Sequence, residues 1–151
     1  MKKIILVSAC LLGLNTRHDG KNSVNKEVLM LLDKYLMIPV CPEQLGGLPT
    51  PRMAAEIQND GKVLKENGDN ITETFLNGAK EVLELAKLYK IKFALLKDGS
   101  PSCGSHFVYD GSFSGIKIKG EGVTARLLRK NGIKVFSEDN IEELIDDIEQ
   151  D

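Results

Sequence analysis

No part of this chain is apolar for long. Its longest apolar runs, such as Ile4 to Val7 and Val28 to Leu32, fall far short of the roughly 18 residues a membrane span needs. A spanning helix is therefore excluded, and because Lys2 and Lys3 lead straight into a β-like run, no signal peptide is expected. Cysteine is scarce: there are three, an odd number. Without an export signal, that count argues against a disulfide framework and for reduced thiols in the cytoplasm. None of the three has a second cysteine nearby, which disfavours the C-x-x-C knuckles of paired zinc motifs. Histidine is scarcer still. His18 and His106 sit in no acid, serine or cysteine pattern of a hydrolase triad. The basic residues form no arginine-rich run, so no stable complex with long nucleic acid is expected.

What is present suits one globular domain spanning residues 1–151. The chain is 42% apolar and 28% charged, and a domain of this size buries roughly 68–70% of the surface its unfolded chain exposes. Such a core needs neither disulfides nor a structural metal, so any metal serves another purpose. The net charge is −2, but residues 138–151 hold eight acids and no Lys or Arg, leaving the preceding 137 residues at +6. A mildly basic body can steer a small anionic metabolite or nucleotide. The acid run itself reads as the solvated face of a terminal helix.

Periodicity alternates between strand and helix. Ile4 to Ser8 reads as a buried strand, and Val24 to Leu36 as a helix with Val28, Leu31, Leu32, Tyr35 and Leu36 at helical spacing. Met37 to Val40 is again strand-like, followed by a Gly/Pro-rich loop, Cys41 to Arg52. Asn59-Asp60-Gly61 joins two short runs, Glu56 to Gln58 and Lys62 to Lys65, as a hairpin turn would. Asn70 with Glu73 resembles a capping box opening a long helix, on which Phe75, Ala79, Val82, Leu83, Leu85, Ala86 and Tyr89 form one face. Phe93 to Leu96 is a strand, and Asp98 to Gly122, with six glycines and five serines, reads as a long functional loop. A helix over Val123 to Lys130, a strand over Ile133 to Phe136 and a last helix capped by Ser137 complete the pattern. The expected fold is α/β, a three-layer Rossmann-like parallel sheet with a small hairpin insertion.

In open parallel sheets ligands bind at the carboxyl ends of the strands. Cys10, Cys41 and Cys103 each follow a predicted strand, 31 and 62 residues apart. If those strands are neighbours, three thiols meet on one rim. Thiolates select zinc, copper(I) or iron–sulfur clusters over hard cations. A closed zinc site would recruit a fourth ligand such as His106, whereas a 4Fe-4S cluster on three cysteines leaves one iron free, and spacing does not decide between them. Glu43, two residues from Cys41, is placed to act as a general base. Ser100 and Ser102 bring hydroxyls beside Cys103. Arg17, His18 and Asp19 follow the Cys10 loop, as ligand contacts or as a braced turn. Gly120-Glu121-Gly122-Val123-Thr124 resembles, weakly, a loop offering amides to an anion, but it lacks the lysine of a phosphate-gripping loop and reads more simply as the entry to the next helix. Two readings fit these residues: a zinc-dependent hydrolase, and a non-catalytic iron–sulfur or zinc module that carries electrons or senses redox state.

Taken together, Val7-Ser8-Ala9-Cys10-Leu11-Leu12-Gly13, the Cys41 to Arg52 loop, Ser100 to Gly104, Tyr109-Asp110-Gly111-Ser112-Phe113-Ser114-Gly115 and Gly122-Val123-Thr124-Ala125 resemble the thiouracil desulfurase (TudS) family over nearly the whole chain. The resemblance implies a 4Fe-4S cluster held by Cys10, Cys41 and Cys103, with catalytic roles for Glu43 and for a serine of the Ser100/Ser102 pair. It implies non-redox desulfuration of a thiolated base or nucleoside to its oxo form plus sulfide. Thr16 stands where many members have a cysteine, and His18 replaces the commoner tyrosine; neither change removes a ligand.

Overall fold

The computed structural model describes all 151 residues. Four parallel strands, β1 (Ile4–Ser8), β2 (Leu36–Val40), β5 (Phe93–Leu96) and β8 (Lys134–Ser137), form the central sheet in the order β2-β1-β5-β8. Two antiparallel hairpins stand apart from it: β3 (Ala55–Ile57) with β4 (Val63–Lys65), and β6 (Phe107–Tyr109) with β7 (Lys117–Lys119). The helices are α1 (Lys26–Met30), α2 (Pro42–Leu45), α3 (Thr72–Leu88), α4 (Val123–Lys130) and α5 (Ile141–Gln150).

Strand side chains alternate between the two faces of a sheet, and here both faces are buried. Ile5, Val7, Phe93 and Leu95 pack with Val28 of α1 and Leu31 just after it, and with Ile141, Leu144 and Ile148 of α5. Leu6, Ala94 and Leu96 face the other way, onto Val82, Leu83 and Ala86 of α3 and Ala125 and Leu128 of α4. The three layers follow. Because β2 lies on one side of β1 and the chain then crosses to β5 on the other, strand order reverses beside β1. A crevice opens at such a switch, at the carboxyl ends of the strands.

Several local expectations are corrected. The helix expected over Val24 to Leu36 is only α1 plus a 3-10 turn at Leu31–Asp33, because Leu36 is taken into β2, paired with Ile4, and lies 53% exposed. Asn70 accepts from the amide and hydroxyl of Thr72 rather than closing a capping box with Glu73, and Tyr89 ends α3 exposed. Ser137 closes β8 and accepts from the Asp139 amide, so α5 starts at Ile141 without a Ser137 cap. The Cys41 to Arg52 loop contains α2, and the 98–122 stretch contains the second hairpin. The first hairpin lies where Asp60-Gly61 placed it, with Gly61 at φ 86°.

The seat of α2 depends on two glycines. A Cβ on Gly78 of α3 would stand 2.0 Å from the Pro42 carbonyl oxygen, and one on Gly46 would stand 2.4 Å from that of Thr74. The two helices therefore touch backbone to backbone, which fixes the turn carrying Cys41 and Glu43.

Candidate functional site

A cavity of about 440 Å³ opens over the switch point, within the range of small-molecule sites. Cys10, in the turn directly after β1, Cys41, directly after β2, and Cys103, in the loop after β5, all line it. All three are free thiols, with Cys10 and Cys103 buried and Cys41 partly exposed. Burial pushes the Cys10 thiol up to about 11, with Lys97 opposing, and the Cys103 thiol up to about 12, with Ser8 and Ser102 opposing by hydrogen bonding. Burial thus keeps both thiols neutral on their own, and a coordinated metal would deprotonate them.

The donor set discriminates between groups. No three His, Cys, Asp or Glu side chains close on a point as a single ion would require. A zinc at about 2.3 Å from each sulfur would draw three thiolates to within roughly 4 Å of one another, whereas a cluster several ångströms across asks for three separated sulfurs around one cavity. His106 does not join them: it is absent from the cavity wall, 48% exposed, and its Nδ1 lies 2.8 Å from Asp98 Oδ2. Three thiols from three strand ends, with no fourth cysteine in the chain, are a donor set that suits a three-cysteine iron–sulfur cluster with one iron free of protein ligands.

Beside the thiols runs a continuous hydrogen-bonded chain. Arg52 Nε donates to Glu43 Oε1 at 2.9 Å, and Ser102 Oγ donates to Glu43 Oε2 at 2.9 Å. Since the Ser102 proton is committed to Glu43, the 2.9 Å contact between the two seryl oxygens has Ser100 as donor. Ser100 Oγ in turn accepts from the amides of Ser102 and Cys103, both at 3.1 Å. Arg52 was not marked out in the sequence beyond ending its loop, yet it is more enclosed than its partner, 5% exposed against 14% for Glu43. It also donates to Thr50 Oγ1 and to the carbonyls of Pro49 and Thr16, and approaches Cys41 Sγ at 3.8 Å. One guanidinium thus ties the Cys41 turn, Glu43 and the Thr16 backbone together, as a rigid five-donor fork can.

Asp98 was likewise not singled out. Its Oδ1 accepts from the amides of Gly99, Ser105, His106 and Phe107, so the loop bearing Ser100, Ser102 and Cys103 is wound around one carboxylate. Burial pushes the Asp98 carboxyl up, but those amides and the His106 ring outweigh it and hold it below the usual value. Lys97 bonds Glu138 at 2.9 Å, and Glu138 also accepts from the Asp98 amide; this one acid of the C-terminal run serves the site rather than the solvated face. Arg17 pairs with Asp19 at 2.8 Å as a braced turn, and both Arg17 and His18 line the cavity. The Arg17–Asp19 brace is one of the two readings the sequence offered for that turn, whereas nothing in the spacing of Asp98 and Glu138 announced their contacts.

Gly120 to Thr124 is a plain helix entry, with Gly122 capping α4, rather than an amide cradle for an anion. The amide of Val123 donates to Pro101 O, and those of Thr124 and Ala125 to Ser102 O. The start of α4 therefore clamps the peptide before Cys103. A Cβ at Gly122 would stand 2.5 Å from the Ser102 carbonyl and 2.9 Å from Cys103 N, so Gly122→Ala must displace that peptide. We expect it to cost about 1–3 kcal/mol by chemical unfolding, as overpacking does, and to lower the iron bound per chain after reconstitution. Wild-type iron content would remove the clamp's role.

Comparison with known proteins gives three matches. The family model for 2-thiouracil desulfurase matches residues 5–140. An uncharacterised protein of Bacillus subtilis (strain 168), YbbK, is 39% identical over 151 residues, covering 94% of this chain and 100% of its own. A solved structure of a 4Fe-4S-dependent thiouracil desulfidase, TudS, superimposes with a TM-score of 0.93 at 45% identity, over 99% of this chain and 100% of the other.

Proposed function

This chain belongs to the 2-thiouracil desulfurase family, and from that membership and the geometry of its cavity we propose that it is an iron–sulfur-dependent, non-redox desulfurase of thiolated pyrimidines. Thiouracil or thiouridine plus water gives uracil or uridine plus hydrogen sulfide, with no electron gained or lost. The observation that carries this reading is the shared cavity of three thiols from three strand ends and a carboxylate–serine chain. We assign Cys10, Cys41 and Cys103 as the ligands of a 4Fe-4S cluster. When bound, the cluster supplies a thiophilic Lewis acid, an iron without a protein ligand, that polarises the carbon–sulfur bond.

The protein's own groups handle water and protons. Glu43 is the general base that takes a proton from the attacking water, and Arg52 holds its carboxylate in place from the side opposite Ser102. Ser102 orients the water through the remaining acceptor site of its hydroxyl oxygen, while Ser100, whose oxygen already takes the Ser102 and Cys103 amides, keeps Ser102 aligned with the Cys103 loop. The substrate is a free base or nucleoside rather than polymeric nucleic acid. The 151 residues act as one domain in the cytoplasm, a placement supported by three unpaired thiols; no helix is long and apolar enough to cross a membrane.

Anaerobically purified and reconstituted protein should be brown and should convert 2-thiouracil, 4-thiouracil or a thiouridine to its oxo form with one sulfide released per base and no added reductant. Cluster-loaded protein that releases sulfide from none of them would refute the reading, as would a colourless protein active with stoichiometric zinc.

A further inference from the structure

Three carboxylates line the cavity: Glu43, Glu56 and Asp98. Both oxygens of Glu43 are engaged, by Arg52 and Ser102, and both of Asp98, by four amides and His106. Glu56, on β3, differs. Its Oε1 accepts from the amides of Gly111 at 2.9 Å and Phe113 at 3.1 Å, latching the first hairpin to the β6–β7 turn, and its Oε2 has no protein partner. Gln58 completes that latch by donating to the Gly111 carbonyl. Tyr109, at the end of β6, also lines the cavity; its ring meets Phe107 edge-on at 6.3 Å, and its hydroxyl makes no hydrogen bond to the protein. Two adjoining hairpins thus present one uncommitted acceptor and one uncommitted donor to the same space.

We infer that Glu56 and Tyr109 form the pyrimidine-recognition edge of this site, Glu56 accepting from the ring N3–H and Tyr109 donating to the carbonyl next to it. The idea rests on the thiopyrimidine substrate proposed above and extends it to the atoms read. In 2-thiouracil and 4-thiouracil alike, the carbon bearing sulfur is followed by N3–H and then by a carbonyl carbon. One acceptor–donor pair therefore serves both isomers, whichever thione is presented to the thiols. The free Glu56 oxygen is a charged acceptor that no protein donor occupies, and an uncharged heterocycle offers it an N–H, a hydrogen bond to a charged group being stronger than one between neutral groups. The latch explains why the second hairpin belongs to the site: it holds Tyr109 at the wall and spends only one of the two Glu56 oxygens.

The test is equilibrium binding of the products to cluster-loaded protein, without turnover. Glu56→Gln retains an oxygen for the Gly111 and Phe113 amides and replaces the free acceptor with an N–H donor. Uracil and 1-methyluracil, which keep N3–H, should bind Glu56→Gln roughly 10–100-fold more weakly than wild type, the worth of a hydrogen bond to a charged group. For 3-methyluracil, which lacks that proton, wild type and variant should bind alike. Tyr109→Phe, which keeps the ring packing, should weaken all three ligands by about 2–10-fold. An equal penalty for every ligand, no penalty, or a penalty that follows the N1 proton would overturn the assignment. If Glu56→Gln does not fold, wild-type affinity in Tyr109→Phe would do so. N3–H-dependent binding without desulfuration of any thiobase would leave this edge standing and remove the reaction; desulfuration with a ligand-independent penalty would do the reverse.

Discussion

Replacing Cys10, Cys41 or Cys103 singly with alanine is expected to abolish sulfide release from thiouracil and to strip the visible iron–sulfur absorption. The fold should survive each change. The two cores, on opposite faces of the sheet, are built from 13 buried residues each, and only Cys103 among the three thiols belongs to either. Losing one sulfur from a packed wall costs about 1–2 kcal/mol, a small part of the stability of a domain this size. Removing a ligand is far costlier to the cluster, because no fourth cysteine exists to replace it and His106 is held away by Asp98. The measurements are iron and sulfide content, visible absorption, and far-UV circular dichroism on anaerobic protein. A variant that kept both cluster and turnover would remove that cysteine from the ligand set.

Glu43→Gln is expected to keep the cluster absorption and to lower the turnover rate by roughly 10²–10⁴-fold, the usual worth of general-base catalysis. The amide oxygen still accepts from Arg52 Nε, but the amide nitrogen donates to Ser102 where Glu43 Oε2 accepted. The direction of the Ser100–Ser102 chain is thereby reversed at its end, and no group remains to take a proton from water. Arg52 loses its charge partner in an enclosed setting. A stability loss of about 1–3 kcal/mol accompanies the change, softened by the three other oxygens that Arg52 reaches. Ser102→Ala, which removes the contact to Glu43, should depress turnover more than Ser100→Ala, whose hydroxyl mainly braces the Ser102 and Cys103 amides. Single-turnover assays on 2-thiouracil and 4-thiouracil with matched cluster content decide this. Full activity of Glu43→Gln on both would leave Glu43 as a brace for Arg52.

Elements whose signal is local were legible in the sequence. The strand at Ile4–Ser8, the helix ending at Asn131-Gly132 and the turn at Asp60-Gly61 are each dictated by a few consecutive residues. The helix expected to reach Leu36 failed because strand pairing with Ile4 outweighs a marginal helical preference at the end of a short segment. The second hairpin escaped notice because its strands are three residues each and β7 is wholly exposed, leaving no apolar alternation to detect. The cysteines, Glu43, Ser100 and Ser102 could be marked from chemistry and position relative to strand ends; Arg52, Asp98, Glu138 and Glu56 could not.

What the sequence determined by itself is therefore the alternating α/β pattern and the presence of three thiols, each just beyond a strand, since hydrophobic period and turn chemistry act over neighbouring residues. Only the tertiary structure decided that β1 lies between β2 and β5, which turns three separate strand ends into one cavity. It also decided which carboxylate oxygen is committed and which is free. Glu43 meets Ser102 across 59 residues and Glu56 meets Gly111 across 55. Such partners are chosen by the crossover of the chain and the seating of the hairpins, and a hydrogen bond between residues that distant in sequence leaves no periodic trace in either.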